Sequence, residues 1–251
     1  MVSLGFSAHA PVPFDCNWAV PQSRLKAYIT EILGLKEQYQ SDLQIYLGLE
    51  VDYFPDILPF TKQLLQSGPF DYFIGSVHFI DSYPDGKRWT IDGPNDEFRK
   101  GFKEIFQNDP LIVTRKFFDY NRKMIKDLQP PVIGHIDKLK MQHQHDCFIP
   151  EDHPVFREEL LKTLEVARDA GSIVEINTRS IYKKRGNTFY PGQEIFKEMC
   201  RMGVKVMVNS DAHLPNEILS EFNTAFELLR AAGYKEYYLL LNNNFESVSI
   251  P

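Results

Sequence analysis

Val204-Lys205-Val206-Met207-Val208 runs directly into Asn209-Ser210-Asp211-Ala212-His213, and this stretch decides how the 251-residue chain is read. It is an apolar run of strand length that ends in metal-type ligands. Four more runs end the same way: Ser7-Ala8-His9, Gly48-Leu49-Glu50, Ser76-Val77-His78 and Gly134-His135-Ile136-Asp137. In a barrel of parallel strands the carboxyl ends of all strands lie on one face, so ligands far apart in sequence can meet in one pocket. The arrangement reads as a metallohydrolase of the α/β class.

Working outward, apolar runs alternate with longer segments of helical period, as repeated β/α units require. Strands are expected over residues 3–8, 43–51, 70–78, 132–136, 172–177, 204–209 and 237–241. Helices are expected over 22–40, 55–66, 96–107, 109–129, 154–170, 192–202 and 216–232, with Gly171, Gly203 and Gly233 as stops. Residues 82–95, rich in Pro, Gly and Asp, read as a long loop on the face that carries His78. Residues 142–153 and 178–190 also read as loops.

At this length, with 43% hydrophobic and 25% charged residues, the chain can bury one large core, and residues 1–251 are expected to form a single domain. The net charge of −6 and the lack of a basic stripe argue against a general nucleic-acid or membrane-surface binder. No run approaches a membrane span. Cys16, Cys147 and Cys200, odd in number and widely spaced, suit reduced thiols in a cytoplasmic protein.

Taken in order, Gly5-Phe6-Ser7-Ala8-His9-Ala10-Pro11, Gly48-Leu49-Glu50, Gly75-Ser76-Val77-His78, Gly134-His135-Ile136-Asp137, Glu175-Ile176-Asn177-Thr178 and Asn209-Ser210-Asp211-Ala212-His213 resemble the successive motifs of the polymerase-and-histidinol-phosphatase (PHP) superfamily, in its histidinol-phosphatase branch. The resemblance covers nearly the whole chain, and it rests on five ligand motifs in the family's order. It implies a distorted barrel of seven β/α units that hydrolyses phosphate monoesters with up to three divalent metal ions, zinc, manganese or iron. The family opens with a strand bearing His-x-His and a further His, and this chain starts after that position. The expectation is therefore a (β/α)7-type barrel missing its first β/α unit, with fewer ions and slow or absent turnover. An open barrel edge could be covered by a partner chain, as in a homo-oligomer.

The family's metal scheme, carried over, implies a site of Glu50, His78 and His135 with Glu50 as a bridging carboxylate. A second site keeps Glu50 and Asp211, and a third keeps His9 and His213. Asp211 and His213 are also the implied candidates for protonating the leaving oxygen. Arg179 and Arg185 are candidate clamps for the phosphate, because a guanidinium can bond two phosphate oxygens at once. Each residue also has an ordinary reading: His9 in a turn, Glu50 leaving the core, His78 buried and satisfied, His135 capping a turn, Asp211 and His213 capping a helix. Those readings do not explain six such residues at strand ends. Glu175 is left out of the ligand set, and His143-Gln144-His145 reads as solvated loop histidines.

Three functions stand at this point. The first is a metal-dependent phosphatase converting L-histidinol phosphate to L-histidinol and phosphate, a step of histidine biosynthesis. The second is an N-terminally truncated, weakened relative with a binding role. The third is a phosphoesterase of the same superfamily acting on another small monoester.

Overall fold

The computed structural model describes residues 2–144, 149–150 and 152–251. Parallel strands alternate with helices through most of the chain. In order these are β1 (Ser3–His9), α1 (Leu25–Gln38), β2 (Gln44–Asp52), α2 (Leu58–Leu65), β3 (Tyr72–Ser76), β4 (Phe79–Ser82), β5 (Arg88–Thr90), α3 (Asn95–Glu104), α4 (Pro110–Leu128), β6 (Val132–Ile133), α5 (Pro154–Asp169), β7 (Ile173–Asn177), α6 (Arg179–Tyr182), α7 (Phe196–Met202), β8 (Lys205–Asn209), α8 (Phe222–Ala232), β9 (Glu236–Leu241) and β10 (Asn244–Ser249). Six strands form one parallel sheet in the order β1-β2-β3-β6-β7-β8. The sheet curls into an open, barrel-like wall with β1 and β8 at its edges.

The helices form where the sequence supplies both an apolar face and its end signals. The Asp109 side chain accepts from the backbone N–H groups of Leu111 and Ile112, and Pro110 follows at the first helical position, so α4 starts there. Gly203 and Gly233, at φ 73° and 106°, stop α7 and α8 in a conformation that side chains with a Cβ disfavour.

Alternation along β2 divides the wall into two faces. Ile45 and Leu47 pack with Ile32 of α1, and Leu49 and Val51 pack with Leu25 and Leu64, so these side chains point to the helices. Gly48, Glu50 and Asp52 point the other way. Tyr72 lies across Gly48 on that inner face, where a Cβ on Gly48 would stand 2.5 Å from the ring. Ile74, Val132, Ile173 and Met207 form an apolar layer beside it, with Tyr238 and Phe245 of the β9–β10 hairpin packed against them. The hairpin tip also bonds β2, because the Asn242 N–H donates to Gln44 Oε1 at 2.8 Å. The inner face is thus apolar at the amino ends of the strands and polar at their carboxyl ends.

Several expectations are corrected. The run 70–78 is not one strand, since β3 covers only Tyr72–Ser76, and β4 pairs antiparallel with β5, which lies inside the segment 82–95 expected to be a loop. The turn Tyr83 to Gly86 supplies the Pro, Asp and Gly that gave a loop signal. The last apolar run does not join the main sheet but pairs with β10. The six parallel strands of the main sheet are in keeping with the barrel expected from the sequence. No helix among the described residues is long and apolar enough to cross a membrane.

Packing against Tyr72 makes Gly48 a sensitive position. Gly48→Ala is expected to lower stability by about 1–3 kcal/mol, the usual cost of overfilling a packed interior. Urea unfolding checks this; an unchanged midpoint would contradict the packing of the inner face.

Candidate metal centre

The parallel register decides which side chains meet. His9 pairs with Glu50 between β1 and β2, and Asp52 pairs with Ser76 between β2 and β3. These positions close the carboxyl ends of adjacent strands, and His78 and His135 follow directly after β3 and β6. Glu50 stands at the centre. Its Oε1 accepts from Ser76 Oγ at 2.7 Å and lies 2.9 Å from His135 Nε2 and 3.6 Å from His78 Nε2. Its Oε2 faces His9 Nδ1 at 3.4 Å. Burial works against a charge on Glu50, but His9, His135 and His78 outweigh it and hold the carboxyl well below the usual carboxylate range.

Two sets of three donors could hold an ion here, His9 with Asp52 and His78, and Glu50 with His78 and His135. Within each set the donor atoms lie within 4.8 Å of one another. The buried atoms His9 Nδ1 and Asp52 Oδ2 have no hydrogen-bond partner, a costly state that a cation would relieve. Imidazole and carboxylate donors of this kind suit zinc, manganese or iron. The residues therefore fit a divalent ion.

Asp52 was not singled out in the sequence, although alternation puts residues 50 and 52 on one face and would have found it. Its Oδ1 lies 2.8 Å from His78 Nδ1, which fixes the ring and leaves Nε2 turned to Glu50. This is the carboxylate–histidine pairing by which metal-binding imidazoles are oriented. Burial disfavours a proton on His78, but Asp52 and Asp92 outweigh it and raise the pKa to about 9. For His135, burial and then Lys138 lower the pKa, leaving a neutral ring.

Glu175, set aside as structural, lies directly behind the cluster. It accepts from the His135 N–H at 2.9 Å, from Asn177 Nδ2 at 3.1 Å and from Asn209 Nδ2 at 3.0 Å. Burial, then the neighbouring Asp211, push its carboxyl up to about 7. Asp137, part of the fourth motif, turns away from the donors: it pairs with buried Lys140 at 2.9 Å and accepts from the Gly192 N–H.

Asp211 and His213 stand at the rim, outside both donor sets. Asp211 takes a left-handed backbone at φ 50°, and its Oδ2 accepts from Asn177 Nδ2 at 3.3 Å. His213 is half-exposed, with its ring 6.4 Å from that of His9. The helix-capping reading of these two is not what is observed, since Glu217 accepts from the His213 and Leu214 N–H groups. Arg179 reaches the same rim, its Nη1 2.8 Å from His213 Nδ1 and bonded to the Asp211 carbonyl. Arg185 is exposed. It lines a cavity of about 250 Å³ with Asp92, Asn95 and Gln142 among others. Trp18 packs edge-on against His9 and stacks on Phe79. His145 and Cys147 lie outside the described residues, as does the side chain of His143.

Two further charged groups were missed, Asp92 and Lys138. Lys138 Nζ lies 3.1 Å from Asp92 Oδ2 and 3.5 Å from His78 Nε2. Neither has a periodic sequence signal, because Asp92 lies in a bend and Lys138 opens a short 3-10 helix, each beyond the motif it serves.

Comparison with known proteins agrees with this geometry. A Schizosaccharomyces pombe protein described as a probable histidinol-phosphatase is 29% identical over 82% of the chain, which spans 65% of that protein's length. A Bacillus subtilis histidinol-phosphatase is 26% identical over 86% of the chain and 83% of its own length. Among solved structures, the histidinol phosphate phosphatase of Lactococcus lactis, complexed with zinc, L-histidinol and phosphate, superposes with a TM-score of 0.71 at 19% identity, over 98% of this chain and 88% of that one. A Listeria monocytogenes structure matches with a TM-score of 0.76 at 20% identity, over 89% and 88% of the two chains. At these identities the superpositions establish the fold. The PHP domain model matches residues 1–179, more than two thirds of the chain, so the protein belongs to the PHP-domain family.

Proposed function

We propose that this chain is a metal-dependent phosphatase that hydrolyses L-histidinol phosphate to L-histidinol and phosphate. The observation that carries the reading is the buried Glu50 carboxylate ringed by His9, His78 and His135 at the carboxyl ends of the strands. Membership of the family and the names of the relatives supply the substrate. Glu50, His78 and His135 would hold the principal ion, His9 with Asp52 would extend the site, and Asp211 and His213 would complete it at the rim. Zinc is the first choice, as the metal of the Lactococcus lactis structure, with manganese and iron matched by the same donors. Free Cys16 and Cys200 support a reducing, cytoplasmic setting.

Divalent ions bound there would bring the pKa of a coordinated water near neutrality and polarise the phosphoryl oxygens. The chain's own groups do the rest. Asp52 fixes the His78 ring, and Glu175 holds the backbone of His135. Arg179 offers its guanidinium to the phosphate from the rim, where it now bonds the Asp211 carbonyl and His213. Asp211 and His213, at the rim, would protonate the departing alcohol oxygen. His213, half-exposed, can recover its proton from solvent.

Three outcomes are expected. Phosphate release from histidinol phosphate should require added zinc or manganese and stop on chelation, and Arg179→Ala should raise KM about 10–100-fold, the weight of a lost charge-assisted contact. Turnover that persists in chelator, or that prefers every other monoester in a panel, would overturn the reading. In metal titrations, His78→Ala should lose more affinity than His213→Ala, and Asp52→Asn should lose about 10–100-fold; equal losses for the two histidines would contradict the ranking. The third concerns pH. His78 holds a proton up to about pH 9 in the ion-free chain, so metal affinity should climb as pH rises toward that value. Because the folded pKa lies above the ordinary value of 6.5, the associated stability is fully present below pH 6.5 and lost between 6.5 and about 9. Thermal melts in chelator at pH 6 and pH 9 check the sign; a higher midpoint at pH 9 would contradict it.

A further inference from the structure

Trp18 borders the metal centre and still keeps 38% of its surface exposed. The segment that follows β1 carries it there. Residues 10–21 leave the strand end and fold back, so that the Val20 N–H donates to the His9 carbonyl at 3.0 Å, and Ala19 is buried. Three aromatic neighbours then hold the indole. It stacks on Phe79 at 5.4 Å with the planes 14° apart, and it meets the His9 and His78 rings edge-to-face at 4.8 Å and 5.4 Å.

A tryptophan kept only for packing has no reason to leave this much surface in water beside a polar cluster, because its large apolar area is its main contribution to a core. An indole pinned in this way is a rigid, flat surface that gives up little entropy when a ligand covers it. Its place also matters. The donors around Glu50, together with Arg179, recognise a phosphate, which every phosphate monoester carries. Discrimination among such esters must come from a group that touches the organic part. Trp18 contacts the two imidazoles that border the ion, so a ring a few bonds from a metal-held phosphate falls within its reach. The organic part of histidinol phosphate ends in an imidazole, which is planar, aromatic and cationic below a pKa of about 6.5. Both properties favour an indole surface, the first by stacking and the second by attraction of a cation to the ring.

We propose that Trp18 is the specificity-determining residue of this site: its exposed indole takes the imidazole of the substrate by aromatic contact while the phosphate sits at the metal centre. The proposal rests on the histidinol-phosphatase reading given above.

Kinetics with zinc would compare histidinol phosphate with O-phosphoethanolamine, an amino-alcohol monoester without the ring, in the unmodified chain, Trp18→Phe and Trp18→Leu. Trp18→Leu should raise the KM for histidinol phosphate about 3–10-fold relative to that for O-phosphoethanolamine, the weight of one aromatic pair. Trp18→Phe keeps a ring and should keep most of the preference. A residue that only buttresses His9 and His78 would move both KM values together. Fluorescence gives a second readout without turnover, and it stands if the leucine variant does not fold. The other tryptophan, Trp89, is 2% exposed, so Trp18 is the one a ligand reaches. L-histidinol should quench the emission of the unmodified chain, ethanolamine should not, and Trp18→Phe should remove the quench. Equal KM changes for the two esters, or no quench specific to L-histidinol, would overturn the proposal. An unmodified chain that hydrolyses O-phosphoethanolamine but not histidinol phosphate would instead overturn the substrate reading on which it rests.

Discussion

A single buried carboxylate organises this molecule. Glu50 sits on the inner face of β2, out of water, where an isolated charge would be prohibitive. It stays ionised because Ser76 donates to it and three imidazoles surround it. The partners come from the ends of three other strands, so the charge can be satisfied only when β1, β2, β3 and β6 hold their parallel register. The register in turn depends on the outward faces of those strands being apolar and the inward faces alternating small and polar. A slip of one residue would turn Glu50 into the helix layer and Leu49 into the site.

Around that centre the structure separates support from chemistry. The apolar layer of Ile74, Val132, Ile173 and Met207, closed by Tyr238 and Phe245, makes a dry floor. Above it, Glu175, Asn177 and Asn209 form a polar shelf that locks His135 and reaches Asp211. Donors stand on the shelf, and Arg179 and His213 reach over them from the rim. Charges are graded in the same order, with Glu50 and Asp52 paired to imidazoles inside and the half-exposed His213 outermost.

Much of this was legible in the sequence because two periodicities are nearly undisturbed. Residues 154–170 and 172–177 read as helix and strand, and α5 and β7 occupy Pro154–Asp169 and Ile173–Asn177. The strand-end rule then located His9, Glu50, His78 and His135 together. It failed where a group serves the site from outside the strands, as Asp92 does from a bend and Lys138 from a short 3-10 helix, since neither carries a strand's periodic signal. It also stopped one step short at Asp52, although alternation favoured that residue. β10 was missed because Asn244 to Ser249 is mostly polar, although Asn242-Asn243, at φ 50° and 62°, is a hairpin turn of a recognisable kind. Asp211 and His213 lie beside the cluster, where a left-handed backbone at Asp211 carries them to its rim.

Glu50, His78 and His135 are proposed to form one ion site. Diffraction from crystals of the chain grown with zinc, with anomalous differences collected at the zinc edge, tests it most directly. A strong peak is expected about 2.0–2.2 Å from a Glu50 oxygen and from the Nε2 atoms of His78 and His135. Zinc found only at surface groups, with Glu50 still hydrogen-bonded to His135 as it is here, would contradict it.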